Sequence, residues 1–118
     1  MLKVKKLGIL LKPTKNSFES RAVLNPGIYQ DGKNIHLFYR AVNHLNESCI
    51  GYARLFGPTK IVERDSVPLI NREYTYEAKG IEDPRIVKIG DTFYLTYVAF
   101  DGKNALTALA SSKNLKQF

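Results

Sequence analysis

One internal repeat constrains this chain more than any other feature. The segment Asn25-Pro26-Gly27-Ile28-Tyr29, the glycine Gly32 and the run Ile35 to Ala41 return 58 residues later as Asp83-Pro84-Arg85-Ile86-Val87, Gly90 and Phe93 to Ala99. Past the loops, Leu109-Ala110-Ser111 falls opposite Tyr52-Ala53-Arg54, with one residue deleted. Chance supplies one shared proline or glycine; it does not keep Pro, Ile, Gly, Leu, Tyr and Ala in register together. Both copies are rich in β-formers and lack a helical period. The chain therefore reads as two copies of one β-module, about residues 18–70 and 76–118. A repeat of this length, holding several short antiparallel strands, suits a propeller blade and is too long for a helical-repeat unit. The expected fold class is all-β, with about two β-propeller blades.

Two blades do not close a ring, because roughly four to eight are needed around a central channel. The expectation is an N-terminal fragment of a propeller domain spanning residues 1–118, or a module completed by other copies. Unpaired strands and an uncovered apolar face predict self-association. Along the chain, Met1 to Ser17 reads as a short strand and a loop, and Cys49 to Leu55 as a strand. Lys60 to Ile70 reads as a strand interrupted at Asp65-Ser66, and Asn71 to Lys79 as an irregular loop.

The net charge of +7 is dispersed, with no dense basic stripe interleaved with aromatics, so no nucleic-acid partner is expected. Cys49 is the sole cysteine, which forbids an internal disulfide and points to a reducing compartment. The apolar run Leu7 to Leu11 is too short for a signal-peptide core or a membrane span, so the expected location is cytoplasmic.

Ionisable chemistry concentrates in Gly80-Ile81-Glu82-Asp83-Pro84-Arg85-Ile86. The proline restricts the residue before it, so Asp83 is expected extended, with its carboxylate held in one direction; Asn25-Pro26 does the same with a neutral amide. In an apolar channel such a carboxylate suits a general acid. Arg40, within the β-run Phe38-Tyr39-Arg40-Ala41, either pairs with Glu82 or Asp83 or holds an anion or polyol. Glu82 alternates with Asp83 and is read as an orienting or structural residue.

These segments, with Ser48-Cys49-Ile50-Gly51-Tyr52-Ala53 and Ala108-Leu109-Ala110-Ser111, resemble in order and spacing the first part of glycoside hydrolase family 130. That family comprises β-mannoside phosphorylases and related hydrolases within the five-bladed glycosidase propellers. The resemblance covers most of the chain from about Phe18, but less than half of a full-length member. It implies an inverting phosphorolysis or hydrolysis of β-mannosidic bonds, the phosphorolysis transferring the glycosyl group to inorganic phosphate as co-substrate, with no cofactor. Asp83 matches the catalytic proton donor, Asn25 and Arg40 the sugar subsite, and Arg85 a residue that orients Asp83 or touches the sugar. It also implies that these residues alone are inactive. The rival expectation is a non-catalytic carbohydrate-binding or self-assembling β-module.

His36 and His44 lack metal-ligand spacing, and no metal is expected. Tyr74 and Tyr76 read equally as a sugar platform or as surface residues, and Glu77 as a carboxylate able to reach the site from the same loop.

Overall fold

The strands fall into two units of the same plan. The structure is a computed structural model covering Met1 to Phe118. A 3₁₀ turn, Ser17–Glu19, leads into β1 (Ala22–Asp31), β2 (Asn34–Val42), β3 (Ser48–Phe56) and β4 (Lys60–Arg64), all paired antiparallel in succession. A second 3₁₀ turn, Thr75–Glu77, leads into β5 (Gly80–Ile89), β6 (Thr92–Phe100) and β7 (Ala105–Ser112), again antiparallel. The ladders of the two units are joined by a single parallel bridge, Ser48 to Gly80, so the seven strands form one open sheet only in a formal sense. The fold is all-β, of blade type.

Each unit is set by the same local chemistry. Asp31 pairs with Asn34 and Ile89 with Thr92, which leaves two-residue hairpin loops, Gly32-Lys33 and Gly90-Asp91. Their first residues lie at φ 58° and 61°, the sign that hairpin turns matching strand twist demand and glycine meets at no steric cost.

Alternation along the strands then makes two apolar faces per unit. One face of the first unit, built on Phe38, Ile50 and Tyr52, packs against Phe93, Leu95, Tyr97 and Ala99 of the second. Tyr29 meets Phe93 edge-on, ring centroids 5.0 Å apart. The opposite face of the first unit carries Leu37, Tyr39 and Ala41, the repeat counterparts of Leu95, Tyr97 and Ala99. No second sheet covers that face; Leu11 and Phe18 of the leading segment pack there instead.

A buried carboxylate ties each 3₁₀ turn to the middle strand of its unit. Glu19 accepts a hydrogen bond from the Tyr39 hydroxyl at 2.7 Å, and Glu77 one from the Tyr97 hydroxyl at 2.6 Å. Both carboxylates are essentially inaccessible, and both are satisfied. Glu19 also takes Arg64 Nη2 at 3.0 Å and Thr14 Oγ1 at 2.6 Å, whereas Glu77 takes the backbone N–H groups of Glu73 and Tyr74. Burial, then the bonded carboxylate, pushes both phenols well above the usual tyrosine range, which keeps them donors.

Two expectations fail. No strand forms in the first sixteen residues, because nothing in the chain lies alongside to complete a ladder. The strand expected over Lys60 to Ile70 stops at Arg64; beyond it only Ile70 bridges back, to Ile50.

The units approach closely at Gly27, where an added Cβ would stand 2.6 Å from the Pro84 carbonyl oxygen. Gly27→Ala should therefore destabilise the chain by about 1–3 kcal/mol in urea unfolding, the cost of overpacking a close contact. His36, whose Nδ1 lies 2.8 Å from the Tyr52 hydroxyl, has its pKa held below 6.5 by burial first, then by Arg54 and Lys116 against Asp31 and Glu63. The unfolded chain thus takes up this proton at higher pH than the folded one, so the stability is complete above pH 6.5 and falls as pH drops through that value. His36→Gln should lose less stability than the parent between neutral and mildly acidic pH, read from urea midpoints.

Candidate functional site

The innermost strands, β1 and β5, each break ladder register at one place. Pairing jumps from Leu24 to Gly27 in β1 and from Glu82 to Arg85 in β5. The residues expelled are Asn25-Pro26 and Asp83-Pro84. Proline fits such a bulge because it has no N–H to give a ladder.

Asn25 and Asp83 are not extended, as the sequence led us to expect; they sit at φ 48° and 50°. A following proline favours extended geometry at negative φ for the residue before it, and at these two positions the bulge overrides that preference. The bulge requires the reversal, and Asn and Asp tolerate positive φ better than other side chains. Backbone geometry thus accounts for the Asn/Asp alternative at this position. Which of the two occurs is a matter of chemistry.

The reversal aims the two side chains at each other. Asn25 Nδ2 donates to Asp83 Oδ1 at 2.8 Å, across the seam between the units. This leaves Oδ2 without a protein hydrogen bond, on a carboxylate that is only half-buried. The desolvating apolar channel expected around Asp83 is not what surrounds it: its first neighbour is an amide donor.

Beside that contact lies an ion pair. Arg40 Nη2 is 2.7 Å from Glu82 Oε1, and Arg40 Nε donates to Ser48 Oγ at 2.9 Å. Of the two readings of Arg40, the pair with Glu82 is therefore realised, and Glu82 takes the structural part expected of it. Arg40 is the ladder partner of Leu24, the residue before Asn25, so the pair spans the same seam one residue from Asn25 and Asp83. Gly80 makes room for it, since a Cβ there would stand 2.8 Å from Glu82 Oε1. Arg40 Nη1 has no protein partner, and about a fifth of the side chain is exposed.

Arg85 does not bond Asp83. Its Nη1 donates to the Pro84 carbonyl at 2.8 Å, and the side chain is exposed. In the repeat it occupies the position of Gly27. Of the four residues singled out in the sequence, the structure joins Asn25 to Asp83, sets Arg40 beside them through Glu82, and leaves Arg85 at the open side.

Other candidates fall away. Glu77 is turned inward onto Tyr97 and does not reach the site. Tyr74 and Tyr76 stack on each other, centroids 5.0 Å apart and planes 9° from parallel, so each has one ring face already covered. No group of three or more His, Cys, Asp or Glu side chains is arranged to hold a metal ion. The Asn25–Asp83 bond itself was not foreseen, although the repeat places both residues at one position of neighbouring units.

A family model described as β-1,4-mannooligosaccharide phosphorylase matches residues 7–118. Among curated proteins, a β-1,2-mannobiose phosphorylase of Thermoanaerobacter sp. (strain X514) is 37% identical, covering 82% of this chain and 36% of the relative. A 1,2-β-oligomannan phosphorylase of the same organism is 34% identical, covering 98% of this chain and 43% of the relative. Among solved structures, a glycosyl hydrolase from Bacteroides ovatus superposes with a TM-score of 0.84 at 24% identity, over 97% of this chain and 38% of that one. A β-1,2-mannobiose phosphorylase from Listeria innocua superposes with a TM-score of 0.71 at 18% identity, over 91% of this chain and 45% of that one. The chain thus spans less than half the length of the relatives it matches. With a family match across nearly all of its residues, it belongs to glycoside hydrolase family 130.

Proposed function

We propose that these residues form the acid-bearing part of an enzyme that phosphorolyses β-1,2-linked mannosides with inversion. The observation that carries the reading is the Asn25–Asp83 contact, in which one carboxylate oxygen is held and the other is left toward solvent. Two relatives above 30% identity are phosphorylases of β-1,2-linked mannosides, which favours that linkage and phosphate over water as the attacking species.

In the reaction, an oxygen of inorganic phosphate attacks the anomeric carbon as the bond to the leaving oxygen breaks. The bonding electron pair goes to that oxygen, which takes a proton originating on Asp83. By the family pattern this proton passes through a hydroxyl of the sugar itself. Asn25 fixes the rotamer of Asp83, so that Oδ2 faces the ligand in one orientation. Arg40, held by Glu82 and Ser48, keeps its Nη1 donors for sugar hydroxyls. Arg85, exposed two residues from Asp83, offers its unbonded Nε and Nη2 donors. No cofactor takes part.

The test uses the longest natural polypeptide that carries these residues. With β-1,2-mannobiose and phosphate it should release mannose 1-phosphate and mannose. Asp83→Asn should lower kcat by about 10²–10⁴-fold, the range for loss of a positioned acid, with the thermal midpoint little changed. Mannose release that ignores phosphate would make the enzyme a hydrolase, and no turnover of any β-mannoside would overturn the reading. Residues 1–118 alone are expected to show no turnover.

A further inference from the structure

The two units share one ladder link, Ser48 to Gly80, and its backbone bond is long, 3.3 Å between the Ser48 nitrogen and the Lys79 carbonyl oxygen. Beyond it, Gly80, Ile81 and Glu82 pair with β6 before the bulge releases Asp83 and Pro84 from the ladder. Asp83 thus has no ladder partner of its own. Its place against Asn25 depends on how firmly the start of β5 is held to the first unit.

Two arginines bracket the link, one from β2 and one from the connection into β5. On the strand side, Arg40 pairs with Glu82. On the loop side stands Arg72, whose Nη2 donates to Glu47 Oε2 at 2.8 Å and whose Nη1 donates to the Ala78 carbonyl oxygen at 2.8 Å. Glu47 is the residue before Ser48, and Ala78 lies two before Gly80. One planar guanidinium therefore bonds both chains just ahead of where they pair, a hold that a lysine does not reproduce.

Glu47 is set up to receive it. Asn43 Oδ1 accepts from the Leu45 and Glu47 N–H groups at 2.9 and 3.0 Å, which fixes the β2–β3 loop. Asn43 Nδ2 lies 3.4 Å from Glu47 Oε2, and Lys79 Nζ lies 3.7 Å from Oε1. The Arg72 bond first, then Asn43, holds the Glu47 carboxyl below the usual carboxylate range, so it is an anion at neutral pH.

The repeat does not require this brace. Asn104, which closes the β6–β7 loop as Glu47 closes the β2–β3 loop, bonds Asp101 of its own loop at 3.1 Å. Thr14, 58 residues before Arg72, bonds Glu19 of its own unit. The Glu47–Arg72 pair belongs to this seam alone. Both side chains are half-buried, and such pairs add little stability, which leaves geometry as their main effect.

We propose that Arg72 is a positioning residue, which through Glu47 and the Ala78 carbonyl fixes the start of β5 so that Asp83 meets Asn25. Its consequence for catalysis rests on Asp83 being the proton donor.

The test uses the longest natural polypeptide that carries these residues, with β-1,2-mannobiose and phosphate. Arg72→Ala should lower kcat by about 10–10²-fold, the scale of a small misplacement of reacting groups, with KM moving less and the thermal midpoint little changed. Arg72→Lys, which keeps the charge but loses the planar fork, should move kcat the same way by a smaller factor. Adding Glu47→Ala to Arg72→Ala should cost little more than Arg72→Ala alone, because the pair acts as one contact. The nuclear magnetic resonance signal of the Asn25 side-chain amide, identified by its absence in Asn25→Ala, reads the geometry without turnover. In Arg72→Ala it should move toward its position in Asp83→Ala. A signal that stays where the parent has it overturns the proposal. So does a kcat equal to the parent's, or one that falls only in step with the thermal midpoint. A parent that turns over no β-mannoside removes the reading of Asp83 as an acid, and the amide signal then decides the positioning by itself.

Discussion

Everything about the site depends on how closely two inner strands approach. β1 and β5 meet at Gly27, which lets the Pro84 carbonyl oxygen come within a distance that any Cβ would forbid. That approach puts two proline bulges side by side, and the bulges turn Asn25 and Asp83 toward one another. Without it the units still have apolar faces to pack, but the amide and the carboxylate do not meet. The ion pair of Arg40 with Glu82 reinforces the seam at its flank. With each side chain roughly one-fifth exposed, the pair contributes chiefly by fixing geometry, since partly solvated pairs add little stability.

The packing of the units follows from the same repeat that makes them alike. Leu37, Tyr39 and Ala41 in one unit, and Leu95, Tyr97 and Ala99 in the other, are the same face used twice. In the second unit it meets a sheet. In the first it meets two side chains of an otherwise unpaired segment. Each unit also carries its own clasp, a buried glutamate accepting from a tyrosine, so the turn before each inner strand is held by contacts internal to that unit. Tyr39 fits only because its cross-strand partner is Gly51, on which a Cβ would run into the ring. In the second unit the partner of Tyr97 is Ala108.

Much of this was legible in the chain. Register at 58 residues exposed the two units, because β-modules built alike keep their turn glycines and inward side chains at fixed positions. The unusual density of charge and proline around Asp83 marked the candidate site. What escaped were features that depend on a partner far along the chain. The buried bonds of Glu19 and Glu77 are made with Tyr39 and Tyr97, each 20 residues further along the chain. The sign of φ at Asn25 and Asp83 is decided by the bulge, not by the proline. The leading segment has the pattern of a strand, yet a strand exists only where a second one runs alongside.

Gly27 and Arg85 occupy equivalent places, and their difference makes the surroundings of Asp83 one-sided. On the Asn25 flank the backbones touch. On the other flank, any layer laid against β5 must stand off by at least the width of an arginine stem, for the clearance that hydrogen permits is gone. The wall around the carboxylate is therefore shut on one side and propped open on the other. The two flanks of Asp83 thus differ by one side chain that the repeat itself does not require.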